Sequence, residues 1–248
     1  QFSSLDEVRY HETLAASALT SVKDPRNVLV LGGGDGLLAR ELLKYPSVRR
    51  VTVVDIDAKV TDLARNNRLL KEVNKGALSD PRVKVVNADA FRFVDDAKGT
   101  YDAVLIDLVD PSNERMAKLY SKQFYRNVSE RLSPKGVMVT QATSSFFSPH
   151  AFHIVANTVR AGQSGYAVFP FSHNIPSFGE WGFVLSTRNP SALLKQPLAP
   201  GTSYQNKELL AFMIRTQPPK VPKTEVSTLL EPRIIDAYES DMRQWRYY

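Results

Sequence analysis

Acidic side chains stand at or just beyond four predicted strand ends of this 248-residue sequence. They are Asp35, Asp55, Asp89, Asp107 and Asp110. Because the carboxyl ends of parallel strands meet at one edge of a sheet, we expect these side chains to face a common ligand site. Carboxylates a few ångströms apart resist joint ionisation unless a cation lies between them. The arrangement therefore predicts a site for a positively charged ligand such as a sulfonium or a polyamine.

Each of these aspartates also has a simpler interpretation, since a single aspartate after a strand is often solvated or caps the next helix. Asp57 is better placed than Asp55 to cap the following helix, which leaves Asp55 for a ligand. Asp107 and Asp110 follow the apolar run Val104-Leu105-Ile106 as a pair. This pairing favours a functional role for both.

A glycine cluster, Gly32-Gly33-Gly34-Asp35-Gly36, follows the apolar run 28–31 and precedes a predicted helix. Glycines let the backbone turn sharply and approach a ligand closely, although they also serve ordinary tight turns. Asp55 ends the next strand about 20 residues further on, where an acidic side chain accepts the hydroxyls of a ribose. We therefore expect Gly32 and Gly34 to contact a nucleoside-bearing cofactor.

The elements that must position these residues alternate between short β-branched runs and amphipathic segments. Strands are predicted at 27–31, 51–55, 83–87, 101–107, 136–141 and 181–186. Helices are predicted between them, with starts marked by Asp57 and by Ser148-Pro149. This alternation is typical of an α/β fold around a mostly parallel sheet.

The composition changes beyond Asn189. Prolines punctuate this part of the sequence: Pro190, Pro197, Pro200, Pro218, Pro219 and Pro222. Short helices are predicted near 207–214 and 233–245. We therefore divide the chain into a main domain, 1–189, and a Pro-rich C-terminal tail with short helices, 190–248, that packs on the main domain or on a partner.

Composition excludes several protein classes. The absence of cysteine excludes a disulfide scaffold and a thiolate zinc site. The net charge of +6 comes from scattered Lys and Arg residues without a nucleic-acid-binding motif, so no nucleic-acid partner is expected. No apolar run approaches the ~18 residues of a membrane helix, and we expect a cytoplasmic location. The scattered histidines, His11, His150, His153 and His173, indicate no metal site.

Taken together, these residues resemble the spermidine synthase family of polyamine aminopropyltransferases. The resemblance covers about residues 1–186. Its motifs are Asp6-Glu7 with Tyr10, the glycine-Asp loop, Asp55, Asp89, Asp107-x-x-Asp110-Pro111 and Ile175-Pro176-Ser177. It implies a Rossmann-like, methyltransferase-type, mostly parallel seven-stranded sheet flanked by helices. It also implies a catalytic main domain that transfers an aminopropyl group from decarboxylated S-adenosylmethionine to a di- or polyamine such as putrescine, releases methylthioadenosine and uses no prosthetic group.

By this resemblance, Asp35 holds the terminal amine of the donor, Asp55 its ribose, and Asp89 with Ala90 its adenine. A protonated alkylamine cannot attack carbon until a base removes its proton. The resemblance gives this role to Asp107.

The remaining site residues concern the acceptor amine. The resemblance places Tyr10 beside Asp107 as a second catalytic residue that also contacts the amine, and it has Asp110 seat the amine. His11 and Phe178 replace the Gln and the Tyr that are usual in the family. Both positions are expected to line the acceptor pocket, so the identity of the amine stays open.

Two other functions stay open as well. A methyltransferase that uses intact S-adenosylmethionine shares the sheet, the glycine loop and the acidic residue for ribose. A non-catalytic sensor of a nucleoside or polyamine would need the pocket but not the base. The resemblance further suggests a homodimer. Residues 1–7, the loop 179–182 and the basic tail resemble a subgroup joined to a membrane-spanning segment, which implies membrane attachment through a segment outside this sequence.

Overall fold

A seven-stranded sheet forms the centre of the computed structural model, which describes residues 3, 5–219 and 225–245. The strands are β1 (Asn27–Gly32), β2 (Arg50–Asp55), β3 (Val83–Asn87), β4 (Tyr101–Asp107), β5 (Leu132–Ser144), β6 (Ala167–Ile175) and β7 (Gly179–Thr187). Their spatial order is β3-β2-β1-β4-β5-β7-β6. The first five strands pair in parallel, and β7 runs antiparallel to β5 and β6. The predicted α/β class and mostly parallel seven-stranded sheet are confirmed.

Helices cover both faces of this sheet. Those in the described part of the chain are α1 (Glu7–Leu19), α2 (Leu37–Leu43), α3 (Ala58–Asn66), α4 (Arg68–Val73), α5 (Ala90–Asp96), α6 (Glu114–Ala117), α7 (Lys122–Glu130), α8 (Pro149–Gly162), α9 (Lys207–Arg215) and α10 (Arg233–Arg243). Asp57 caps α3 by accepting hydrogen bonds from main-chain N–H groups, and α8 begins at Pro149 directly after Ser148. Both predicted helix starts are confirmed.

Alternate residues of β1 face opposite layers of the fold. Val28 and Val30 are buried in a cluster with α1, α2 and α9, whereas Leu29 and Leu31 are buried in a cluster with α5, α7, α8 and α10. Because both faces are covered, β1 is a continuous apolar run rather than an alternating one. β1 lies between β2 and β4 in the sheet, so the strand order reverses direction at β1. The carboxyl end of β1 is therefore at the topological switch point, where α/β sheets bind ligands.

The strand that the six-strand prediction missed is β6. Pro170 interrupts it, and the polar residues Ser172, His173 and Asn174 break its apolar pattern. Proline lacks the N–H group that a central strand needs, but β6 lies at the edge of the sheet, where one side of the backbone is unpaired. Tertiary position therefore permits a strand that local preference disfavours.

The C-terminal part packs on both faces of the sheet. Leu210 of α9 is buried in the first cluster, and Ile234 of α10 is buried in the second. The boundary at residue 189 stays a prediction, and Pro222 and the first two residues lie outside the described part. No described helix has the length and apolar character required to cross a bilayer.

Candidate active site

A cavity of about 650 Å³ opens at the carboxyl edge of the sheet, above the ends of β1, β2 and β4. Its lining includes predicted acidic residues and a tyrosine of α1: Asp35, Asp55, Asp107, Asp110 and Tyr10. An adjoining cavity of about 570 Å³ shares Asp55 and Asp107 and extends to Gly32, Asp89 and Ala90. The structure thus gathers the predicted aspartates along one edge, in two neighbouring cavities.

The glycine loop fits between the ends of two strands because two of its residues lack a side chain. Gly32 has a φ of +86°, and a Cβ atom there would lie 2.0 Å from the main-chain oxygen of Asp107. At Gly34 a Cβ atom would lie 2.6 Å from Oδ2 of Asp55. The N–H group of Gly34 instead donates a 2.9 Å hydrogen bond to that oxygen. Both glycines are therefore required for the strand-end aspartates to approach the loop.

Asp107 has one oriented carboxylate oxygen and one available oxygen. Its Oδ1 accepts a 2.6 Å hydrogen bond from the hydroxyl of Tyr10. Oδ2 is buried and has no hydrogen-bond partner among the described residues. Burial, together with the negative charge of Asp107, raises the pKa of Tyr10 well above its usual value. Tyr10 therefore keeps its proton as a donor, and Oδ2 is left for a ligand.

His11 lies behind Asp107 and is completely buried. Its Nδ1 is 2.9 Å from Oε2 of Glu7, and its Nε2 is 3.8 Å from Oδ2 of Asp107. Burial alone would raise the pKa of Glu7, but hydrogen bonds from His11 and Arg40 outweigh it and lower that pKa to about 2. Since Glu7 is an ionised acceptor, Nδ1 of His11 carries the proton. The structure places His11 beside Asp107 rather than in the described cavity lining, and its role in amine binding stays a prediction.

Asp110 and Asp35 are half-buried residues that line the larger cavity. Oδ2 of Asp110 accepts a 2.9 Å hydrogen bond from Tyr238, and its Oδ1 accepts no hydrogen bond from the described residues, although the side chain of Gln141 is near enough to lower the pKa of Asp110. Oδ1 of Asp35 accepts a 2.9 Å hydrogen bond from the N–H group of Leu37. Burial raises the pKa of both carboxyl groups, and the charge of Asp107 acts in the same direction on Asp35. A cation in the cavity would favour their ionised forms.

Asp55 and Asp89 already make contacts within the protein. Asp55 accepts hydrogen bonds from the N–H groups of Gly34 and Asp57, each 2.9 Å long. Asp89 caps α5 through a main-chain N–H group and forms an ion pair with Lys118. Burial opposes ionisation of Asp89, but Lys118 outweighs it and lowers the pKa. The simpler interpretation as a helix cap holds for Asp89, and its adenine contact stays a prediction.

The turn between β6 and β7 brings Phe178 to the cavity, where Trp181 also lies. Asp6 fixes this turn because its carboxylate accepts hydrogen bonds from the main-chain N–H and the hydroxyl of Ser177, at 2.6 and 2.9 Å. Two separate motifs, Asp6-Glu7 and Ile175-Pro176-Ser177, are therefore in contact. Their joint effect is to hold the aromatic wall of the cavity.

Sequence reasoning missed several residues of these cavities, among them Gln141, Trp181 and Lys118. Gln141 and Trp181 line the larger one, and Lys118 lines the smaller one. Gln141 closes the predicted strand 136–141, so a search for any polar residue at a strand end would have found it. Trp181 begins the predicted strand 181–186, and nothing in that pattern distinguishes a cavity wall from core packing. Nothing in the spacing around Lys118 indicates its pairing with Asp89.

Comparison with known proteins agrees with this geometry. The sequence model of the family described as "Spermine/spermidine synthase domain" matches residues 7–196. A polyamine aminopropyltransferase of Oceanobacillus iheyensis is 40% identical, with 100% of this chain and 48% of that protein covered. Polyamine aminopropyltransferase 1 of Streptomyces coelicolor is 42% identical, with coverages of 100% and 46%. The chain thus spans about half the length of the curated relatives it matches.

Solved structures share the fold. A spermidine synthase in complex with the transition-state analogue AdoDATO has a TM-score of 0.79 at 24% identity, covering 86% of this chain and 74% of its own. The spermidine synthase of Thermotoga maritima has a TM-score of 0.77 at 22% identity, covering 98% and 77%. At 24% and 22% identity, this similarity shows a shared fold and no more.

Proposed function

Because the chain belongs to the spermine/spermidine synthase family, we propose that it transfers an aminopropyl group from decarboxylated S-adenosylmethionine to a di- or polyamine such as putrescine. Its second product is methylthioadenosine. Relatives of 40% and 42% identity named polyamine aminopropyltransferases support this activity. Within the chain, the proposal depends on two buried carboxylate oxygens, Oδ2 of Asp107 and Oδ1 of Asp110, which lack partners among the described residues. Both residues line one cavity, where they can accept the N–H groups of an ammonium ion.

Asp107 is the proposed general base. An alkylamine is protonated at neutral pH, with a pKa near ~10, and its nitrogen has no free lone pair. Oδ2 of Asp107 takes one proton from the ammonium group while Tyr10 stabilises Oδ1. The freed lone pair attacks the methylene carbon bonded to the sulfonium, and the carbon–sulfur bond breaks with its electrons passing to sulfur. The products are an extended amine, which keeps a positive charge at the new nitrogen, neutral methylthioadenosine and one proton released through Asp107.

The donor occupies the space beside the glycine loop in this proposal. Asp35 binds its terminal ammonium group, Asp55 its ribose hydroxyls, and Asp89 with Ala90 its adenine. Each carboxylate oxygen has two lone pairs, so Asp55 can accept a ribose hydroxyl in addition to its contacts with the protein. The carboxylate of intact S-adenosylmethionine would face the negative charges of Asp35 and Asp107. We therefore expect tighter binding of the decarboxylated donor.

Two finer proposals accompany this function. We propose a homodimer, on the family resemblance, and light scattering of the purified chain tests it. We also propose a cytoplasmic location, with membrane attachment through a segment outside this sequence. Fractionation of cells that produce the whole protein tests the second.

The deciding experiment mixes the purified chain with decarboxylated S-adenosylmethionine and a panel of diamines and polyamines. Chromatography should detect methylthioadenosine and one extended amine, and Asp107→Asn should lose this turnover while retaining donor affinity in calorimetry. Release of no methylthioadenosine with any amine would refute the proposal. Tighter binding of intact than of decarboxylated S-adenosylmethionine would indicate a methyltransferase instead.

A further inference from the structure

Tyr238 of α10 reaches an acidic residue of the candidate active site. Its hydroxyl donates a 2.9 Å hydrogen bond to Oδ2 of Asp110, across 128 residues of sequence. Tyr238 lies outside residues 7–196, to which the family model is matched. The contact therefore comes from a part of the chain to which the family resemblance assigns no role.

The hydrogen bond gives the two carboxylate oxygens of Asp110 different surroundings. Oδ2 is occupied by Tyr238, whereas Oδ1 is buried without a partner among the described residues. Burial raises the pKa of Asp110, and the side chains of Tyr238 and Gln141 oppose this rise. A fixed donor on one oxygen also restricts rotation of the carboxylate. Asp110 is thus held with one defined acceptor for an incoming N–H group.

Buried side chains and hydrogen bonds fix helix α10 against the rest of the fold. Ile234 is completely buried in the core, and Asp241 is only 3% exposed. Asp241 forms a 2.7 Å hydrogen bond with Nδ1 of His150 and accepts one of 3.1 Å from the N–H group of Ala151, at the start of α8. These contacts flank Tyr238 on both sides in sequence. They keep its hydroxyl within reach of Asp110.

The segment just beyond α10 contacts Phe147, which packs against the turn of Phe178. Nε1 of Trp245 donates a 2.9 Å hydrogen bond to the main-chain oxygen of Phe147. The ring of Phe147 packs so closely on Gly179 that a Cβ atom there would lie 2.7 Å from it. Gly179 follows Phe178 in the turn that lines the cavity. The C-terminal part therefore supports both Asp110 and the turn of Phe178.

We propose that Tyr238 is a positioning residue that orients Asp110 for the acceptor amine, so that α10 forms part of the acceptor site. The inference rests on the proposed aminopropyl transfer and adds a residue to its acceptor side. Because Tyr238 acts through Asp110, its loss should weaken acceptor binding while donor binding stays the same. A merely structural role would affect both substrates alike.

The test compares wild type with Tyr238→Phe, which keeps the ring and removes the hydroxyl. A hydrogen bond to a charged group predicts a rise of about tenfold in the KM of putrescine, with the donor KM within about twofold. Calorimetry should show the same loss of putrescine affinity in the presence of methylthioadenosine. The matched control is Glu239→Gln, an exposed neighbour on α10 that pairs with Arg243, and it should change neither constant.

A double-mutant cycle identifies Asp110 as the intermediary. In an Asp110→Asn background, Tyr238→Phe should cause no further loss of putrescine affinity. An unchanged putrescine affinity in Tyr238→Phe would overturn the inference, as would equal losses for donor and acceptor with a lowered melting temperature. Absence of turnover in wild type would instead count against the proposed function. The two failures can be told apart because the calorimetric comparison of putrescine affinity does not require turnover.

Discussion

The hydroxyl of Tyr10 donates a 2.6 Å hydrogen bond to Oδ1 of Asp107, and both side chains are buried at the end of β4. Burial and the charge of Asp107 keep the pKa of Tyr10 far above neutrality. Tyr10 therefore cannot act as the base, which supports the proposal that Asp107 accepts the proton. The hydrogen bond fixes the carboxylate so that its other oxygen is available for the amine.

Loss of the Asp107 carboxylate should reduce turnover more than loss of the Tyr10 hydroxyl does. We expect Asp107→Asn to lower kcat by roughly 10²–10⁴-fold, since it removes general-base catalysis. Tyr10→Phe should lower kcat by about tenfold, since one hydrogen bond to a charged group is lost. Initial rates of methylthioadenosine release measure both effects, and donor affinity by calorimetry should stay near wild type. Wild-type turnover in Asp107→Asn would exclude Asp107 as the base.

A methyl group on the glycine loop should disturb the donor site. In Gly34→Ala the new Cβ atom would lie 2.6 Å from Oδ2 of Asp55, so the Asp55 carboxylate must move. We expect donor affinity to fall by about tenfold or more, as a hydrogen bond to the ribose is lost. Gly99→Ala is a control for loss of stability without contact with the site: its φ of +90° disfavours alanine, but a Cβ atom there would have no neighbouring atom within 4 Å and Gly99 does not line the cavities. Equal donor affinity in both variants would contradict a ribose contact by Asp55.

The central strands and their acidic ends could be predicted because their local chemistry agrees with their tertiary positions. β1 and β4 are covered on both faces, so they appear as continuous apolar runs, and Asp107 stands where such a run stops. β6 could not be predicted in the same way. Its edge position permits Pro170, and that position is set by pairing with β7 rather than by the residues of β6.

Contacts between distant segments were also hidden from the sequence. Asp6 and Ser177 stand in two recognised motifs, but their spacing gives no sign that one binds the other. The same holds for Tyr238 and Asp110, because a side-chain hydrogen bond between an α10 residue and a strand-end loop has no local pattern. The acidic composition of the site was thus predictable, whereas the residues that orient those acids were not.

The buried ion pair of Glu7 and Arg40 should contribute more to stability than an exposed ion pair does. Glu7 and Arg40 form two hydrogen bonds of 2.8 and 2.9 Å, and both side chains are nearly inaccessible. Glu7→Gln leaves Arg40 with less negative charge around it, and we expect a loss of about 3 kcal/mol in the free energy of unfolding. Glu72→Gln, in an exposed pair with Arg68, should change it by less than about 0.5 kcal/mol. Urea denaturation of both variants measures the difference, and similar losses would contradict a dominant role for the buried pair.

Acid should destabilise the fold through His173. Burial, aided by the positive charge of Arg9, lowers the pKa of His173 to about 4, and its Nε2 lies 2.6 Å from the hydroxyl of Tyr204. In the unfolded chain the pKa is about 6.5. Between pH 6.5 and 4 the unfolded state therefore binds more protons, so stability falls as the pH falls through this range and is unaffected by His173 above it.

The size of this effect follows from the two pKa values. They allow a loss of up to about 3 kcal/mol in the free energy of unfolding between pH 6.5 and 4. Urea denaturation at pH 7.5, 6.0 and 4.5 should show a smaller decrease in His173→Gln than in wild type, because glutamine does not titrate. An NMR titration of the imidazole ring should give a midpoint near 4. The same pH dependence of stability in both proteins, or a midpoint near 6.5, would show that His173 is protonated without cost to the fold.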